Sequence, residues 1–204
     1  MMKNKAQVWV ETVLYTLIGI ALIGIVLGLV MPKITDIKDK MVVEQSINAL
    51  NEIDQKINDA LKAPGNERAV SLTLKRGSLL IETTEILKGN TAGPSTTATD
   101  KLVLTIDGLR KPYSELNSDI DMNRVTVKTT KKAKYSVNLT VELKGIDLTY
   151  GKSDSNEGQL AQTLTNAPLP YKLIIKNNGL VCVNNCGAAI TNQVKAINVD
   201  IHQG

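Results

Sequence analysis

Residues 1–33 read MMKNKAQVWVETVLYTLIGIALIGIVLGLVMPK, and the architecture turns on how this stretch is understood. From Thr12 to Pro32 there are 21 consecutive residues without a formal charge, nearly all of them apolar. A helix rises about 1.5 Å per residue and the hydrocarbon layer of a bilayer is about 30 Å thick, so a helix of this length can cross it. Trp9 and Tyr15 stand near the start of the run, where amphipathic rings favour the membrane interface. A secretory signal carries only about 7–15 apolar residues before a small-x-small cleavage site. This run is longer and closes with Leu29-Val30-Met31-Pro32-Lys33, which is a poor site of that kind. The apolar helix is therefore expected to stay on the finished chain. A domain of this size could scarcely cover so long an uncharged helix as an internal core element.

Beyond Pro32 the pattern becomes amphipathic. Ile34, Ile37 and Met41, then Ile47, Leu50, Ile53, Ile57 and Leu61, recur mostly at three- and four-residue steps, with Asp36, Lys40, Asn51, Asp54, Gln55 and Asn58 between them. Ala63-Pro64-Gly65-Asn66 is expected to end the helix. Pro32 lacks a backbone donor, so a kink or a split is expected there. Read as continuous from 12 to 62, the helix would be a rod of about 75 Å. Its first half is apolar on every side and needs a non-aqueous surrounding, whereas its second half needs one packed partner. Gly24 and Gly28, spaced as small-xxx-small, would let another helix approach closely.

From Arg68 onward the residues alternate as strands. The runs are Val70–Leu74, Leu79–Glu82, Leu102–Ile106, Val125–Val127, Val137–Leu143, Leu173–Ile175, Leu180–Val183 and Val194–Ile201. Lys75-Arg76-Gly77-Ser78 reads as a turn, and Asn178-Gly179 as a hairpin turn between two of the runs. The segments 88–100 and 152–170 read as surface loops. Seven or eight short strands at this spacing predict an antiparallel β-sandwich or sheet rather than an α/β nucleotide-binding layout. The fold class expected is α+β: a long N-terminal hydrophobic helix followed by a β-rich head domain.

The residues just before the apolar run add a further signal. Lys3 and Lys5 form a short basic leader, Ala6 is small, Gln7 follows, and Glu11 stands four residues later, directly before the run. This arrangement resembles the class III signal peptide of archaeal type IV pilin-like proteins and, more loosely, that of bacterial type IV pilins. The resemblance covers about the first 30 residues and extends in general layout to about Leu61. Ala6 departs mildly from the Gly that is commoner in the bacterial pattern. The resemblance implies cleavage between Ala6 and Gln7 by a prepilin peptidase, with the helix left in place. It implies a layout of 1–6 as leader, 7–32 as membrane or filament-core helix, 33–63 as its amphipathic continuation and 64–204 as an extracellular β-rich head. It also implies copies of the same chain or other pilins, an assembly ATPase and a membrane platform as partners, and lipid around the helix before assembly. Gln7 and Glu11 would then set subunit register, since the new α-amine, with a reference pKa of about 7.7–8.0, could neutralise the lone carboxylate. Such an acid at the edge of the hydrocarbon calls for a partner. A single-pass anchored binding or adhesion protein that never polymerises is the other reading; in it, Glu11 is the polar flank of a signal anchor. Orientation by charge alone is undecided, because Lys3 and Lys5 precede the span while Lys33, Lys38 and Lys40 follow it.

Composition narrows the remaining classes. The 204 residues carry 24 basic and 20 acidic side chains, and from Met31 onward 22 basic and 19 acidic ones remain. So small a surplus is not the footprint of a nucleic-acid binder. There is no Phe, and the single His, His202, lies near the end, where a catalytic base would be poorly held. No phosphate-binding, nucleophile-elbow or zinc-hydrolase motif occurs, so neither enzyme activity nor a cofactor is expected. Cys182 and Cys186 are too few for zinc and read as a short extracellular disulfide loop or as buried thiols. Asn138-Leu139-Thr140 is a glycosylation sequon. Asp119-Ile-Asp121-Met-Asn123 opens like a calcium loop, but Arg124 and Thr130 replace the required Gly and Glu, so a polar turn is expected. Lys128, Lys131, Lys132 and Lys134 form a basic cluster on an expected hairpin, suited to solvent or to an acidic surface.

Overall fold

The structure, a computed structural model, describes residues 3–83, 99–150, 161–182 and 193–203. It opens with one helix, α1 (Lys3–Ala60), 58 residues long, and Pro32 lies inside it. The split allowed for at Pro32 does not occur. The missing N–H there would have served the Gly28 carbonyl one turn back. The chain divides into two compact units, Met1–Met41 and Val42–Gly204.

In the second unit α1 supplies Val43, Ile47, Leu50, Ile53, Ile57 and Ala60 to a core shared with the strands. Their three- and four-residue spacing makes one stripe on the helix, as the sequence pattern required. Ile34, Ile37 and Met41, which continue that stripe toward the N-terminus, are exposed. On the polar side of the same turns, Asp54 is buried. It accepts two 3.1 Å hydrogen bonds from the Arg124 guanidinium and a third, also of 3.1 Å, from the Asn58 amide. A buried carboxylate needs such partners, and here they fasten a strand turn to the helix.

The strands are β1 (Glu67–Leu72), β2 (Ser78–Glu82), β3 (Thr99–Leu109), β4 (Asp119–Met122), β5 (Val125–Lys131), β6 (Tyr135–Lys144), β7 (Ile146–Tyr150), β8 (Ala161–Thr165), β9 (Tyr171–Cys182) and β10 (Gln193–Gln203). They hydrogen-bond in the order β1-β9-β10-β7-β3-β6-β5-β4, while β2 pairs with β3 and β8. The array therefore forks at β3. Thr99 touches Ile146 of β7 for a single parallel rung, and from Lys101 to Thr105 the same edge of β3 is taken by β2. At the fork Asp100 is wholly buried and its carboxylate accepts the Leu148 N–H, standing in for a backbone carbonyl that the diverging strand no longer offers. The antiparallel-rich sheet agrees with the expected class. The parallel pairing of β10 with β7 was not expected; Gly145, at φ 71, turns the chain from β6 into β7.

Asn178-Gly179 is not a hairpin turn. Leu173–Ile175 and Leu180–Val181 belong to one strand, β9, which is bulged rather than reversed. Along β10, Ala196 pairs with Gly179 and Ile197 with Asn177, which leaves Asn178 as the extra residue. Gly179 sits at φ 85, where glycine is favoured, and its N–H donates to the Asn177 side-chain oxygen at 2.8 Å. The Asn177 amide turns toward the end of α1 and donates to the carbonyls of Ala60 and Ala63, each at 3.0 Å. Its backbone pairs with Gly65 and Asn66. The bulge thus caps the helix and holds the turn that follows it. A further correction concerns the expected loops: residues 99–100 begin β3 and residues 161–165 form β8.

Gly77 shows a second constraint. It has φ +92, and a Cβ there would lie 2.1 Å from the Thr105 carbonyl oxygen. Gly65, at φ +79, has open space around it. Gly77→Ala should cost about 3 kcal/mol or more, backbone strain plus a displaced β2–β3 rung, and Gly65→Ala only about 1 kcal/mol. Urea unfolding of the detergent-solubilised chain checks this: equal losses at the two sites would contradict the close approach.

Candidate functional site

Among the described residues, the first part of α1 presents a chemically unusual surface. Every large hydrophobic residue from Trp9 to Met31 is at least 39% exposed. The helix has a mean hydropathy of 2.7 in its most apolar 18-residue window, and none of that window is buried. Burying one such side chain is worth about 1.5–3 kcal/mol, so a whole helix of them is stable only when lipid or other protein covers it. Its polar groups are suited to that setting. The Thr16 hydroxyl reaches back to the carbonyls of Thr12 and Val13 at 2.9 and 2.8 Å, so it needs no water. Among the described residues this is one helix long and apolar enough to cross a membrane, consistent with a single-pass membrane protein.

The residues singled out in the sequence fall as follows. Ala6 and Gln7 lie in the helical backbone of α1, and Glu11, four residues after Gln7, is exposed. Gly24 and Gly28 are also one turn apart, and a Cβ at either would meet nothing within 4 Å. The two glycines leave a notch where a second backbone could approach. Cys182 closes β9, while Cys186 lies outside the described residues, so the disulfide expectation falls there too. Asn138 is half-buried on β6, opposite Thr105 of β3 and Lys128 of β5. Thr140, the other end of the sequon, shares its face.

The acidic turn is a hairpin. Asp121 accepts the Thr126 hydroxyl at 2.8 Å, and Asp119 pairs with Lys128 at 3.1 Å. Asn123, at φ 60, makes the turn, and Arg124 reaches Asp54. No group of three or more His, Cys, Asp or Glu able to hold a metal occurs among the described residues. His202 is exposed on β10 opposite Lys172.

Two features were not legible in the sequence. The first is a groove of about 320 Å³, lined by residues that include Val42, Gln45, Ala49, Leu72, Lys75 and Arg76. Its charged lining residues are both cations, so it offers no carboxylate, thiol or imidazole for acid–base or nucleophilic work. The second is a convergence of basic residues from three separate segments. Arg76 donates to the Asp107 carbonyl at 2.8 Å, and a Cβ on Gly108 would lie 3.0 Å from the Arg76 guanidinium and 3.9 Å from the Lys134 side chain. Arg110 and Lys111 follow β3, and Lys131, Lys132 and Lys134 form the β5–β6 turn beside it. Lys131 stands over the Tyr135 ring, 5.7 Å from its centroid. Tyr113 belongs to the loop after β3; burial and the nearby Glu44 carboxylate raise its pKa above the ordinary tyrosine value. Its phenol therefore stays neutral well past neutral pH.

Comparison with protein-family models, with curated proteins and with solved structures gave no match.

If the exposed helix resides in lipid, charge at its centre should expel it. Placing arginine at both Leu22 and Ile23 adds about 5–7 kcal/mol on insertion scales. The doubly substituted chain should move from the carbonate-resistant membrane fraction to the soluble or aggregated fraction. Retention in the membrane would contradict the residence of this helix in hydrocarbon.

Proposed function

We propose that this chain is a structural subunit, major or minor, of a surface filament of the archaeal type IV pilus kind. The observation that carries the reading is the helix whose large hydrophobic residues over Trp9–Met31 are all exposed and which runs on into a folded β-domain. Lipid covers that surface before assembly, and the same surface on other copies covers it afterward. Support also comes from the order Lys5-Ala6-Gln7 with Glu11 one turn on. Cleavage before Gln7 would make that residue the start of α1. Glu11 would then lie in the first turns of the helix, where the partial positive charge of the N-terminus favours a carboxylate. The new amine would sit one helical turn away, on the same chain or on a neighbour.

In this role the chain is not an enzyme and uses no cofactor. Its β-domain lies outside the cell, and after assembly it forms the solvent-facing layer of the filament. A prepilin peptidase, an assembly ATPase with its membrane platform, and further pilins complete the partner set. Gly24 and Gly28 supply the close approach between packed helices.

Intact-mass measurement of the native membrane-extracted protein should give a chain beginning at Gln7. Glu11→Val should insert into the membrane at the wild-type level and yield no filaments, or only disordered ones. Ordinary filaments from Glu11→Val would remove the register mechanism. A chain that retains Met1 and never forms filaments would instead identify a single-pass anchored binding protein.

A further inference from the structure

We infer that the basic end of the β-domain is a docking surface for the anionic phospholipid headgroups of the leaflet from which the helix emerges. The inference rests on the membrane-anchored reading of α1 and extends it to the β-domain. Lys75 and Arg76 from the β1–β2 turn, Arg110 and Lys111 after β3, and Lys131, Lys132 and Lys134 from the β5–β6 turn are gathered at one end of the forked sheet. The acids in these segments or beside them are Asp107, Glu115 and Glu44, so cations outnumber them. Arg76, Arg110 and Lys111 also engage groups of this chain, so the charge offered outward is carried chiefly by the exposed Lys75, Lys131, Lys132 and Lys134. Several cations elsewhere in the β-domain are paired, Lys62 to Asp59, Arg124 to Asp54, Lys128 to Asp119 and Lys144 to Glu142.

The partner follows from the chain itself. Lys75 and Arg76 line a groove with Val42 and Gln45, the first residues of the compact β-bearing unit, so the basic end is the end at which the helix enters that unit. Val42 is ten residues from Pro32, where the uncharged run stops. Ten residues span about 15 Å as helix and at most about 35 Å fully extended. However the two units are disposed, this short tether keeps the cations at a high effective concentration near any membrane that holds the helix. Screening in physiological salt extends over about 8 Å, so charges brought that close to an anionic leaflet are attracted to it. Flexible lysines suit headgroups, which present phosphates without a fixed pattern, and the Tyr135 and Tyr113 rings are at home at an interface. An acidic face on a neighbouring copy is the competing partner, and isolating single copies separates the two.

The full chain would be placed at one copy per nanodisc, in phosphatidylcholine alone or with about one third phosphatidylglycerol, and its lysines acylated and read peptide by peptide. Lys131, Lys132 and Lys134 should react about threefold more slowly in the anionic discs, with the difference lost at about 0.5 M salt. Lys62 and Lys144, at the other ends of α1 and β6, should react equally in both. In a chain carrying Lys131→Glu and Lys132→Glu, the protection of Lys75 and Lys134 should disappear. Equal reactivity in the two lipids, with the chain held in the disc, would overturn the headgroup contact alone. A chain that does not enter discs at all would overturn the anchored reading together with it.

Discussion

A helix of 58 residues in a chain of 204 is covered by the chain's own residues along only part of its length. Here the limit shows as a change of surface along one element. From Val43 to Ala60 a single stripe is buried beneath strands, and from Thr12 to Met31 the run is uncharged and its large hydrophobic residues are all exposed. The first arrangement is satisfied within the molecule, and the second only by surroundings other than water. Membrane residence and packing against other copies are both answers to that one condition.

Different parts of this organisation were legible to different degrees, for physical reasons. The helix was legible because its signals are local: 3.6-residue periodicity, an uncharged run of membrane length, and Pro-Gly after the last buried turn. The stripe failed at Ile34, Ile37 and Met41, where the apolar spacing continues but burial does not. Strands with a clear inward face, such as Val137–Leu143, were read correctly because alternation records burial on one side. Three strands were missed. All four residues of β4 are exposed, β7 holds only two apolar residues before Tyr150, and β8 is an edge strand in which Leu164 is the one buried side chain among Gln162–Thr165. None of these carries enough apolar periodicity to stand out.

Asn178-Gly179 was misread for a more general reason. The dipeptide signals positive φ, and Gly179 does adopt it. The same backbone conformation serves a hairpin turn or a bulge, and the choice is made by what lies opposite. Here it is the continuous β10 and the open carbonyls at the end of α1, more than a hundred residues earlier in the chain. The candidate site divides in the same way. Glu11, Gly24 and Gly28 are properties of one helix and could be placed from spacing. The basic end joins turns at 75–76, 110–111 and 131–134, whose meeting depends on the β2–β3–β6–β5 order. Only the β5–β6 part of it stood out as a run of lysines.

The cap at Asn177 also bears on how a pull would travel through the molecule. After Ala60 the chain rounds a tight turn and becomes β1, a rim strand bonded rung by rung to β9 from Glu67 to Leu72. Asn177 grips that turn with side-chain and main-chain bonds on both of its flanks. Tension handed from helix to sheet therefore meets this rivet before it can lift the rim strand, and β9 passes the strain on to β10 along eleven further rungs. Such a joint distributes mechanical load across many bonds at once instead of breaking them singly, as in a zip.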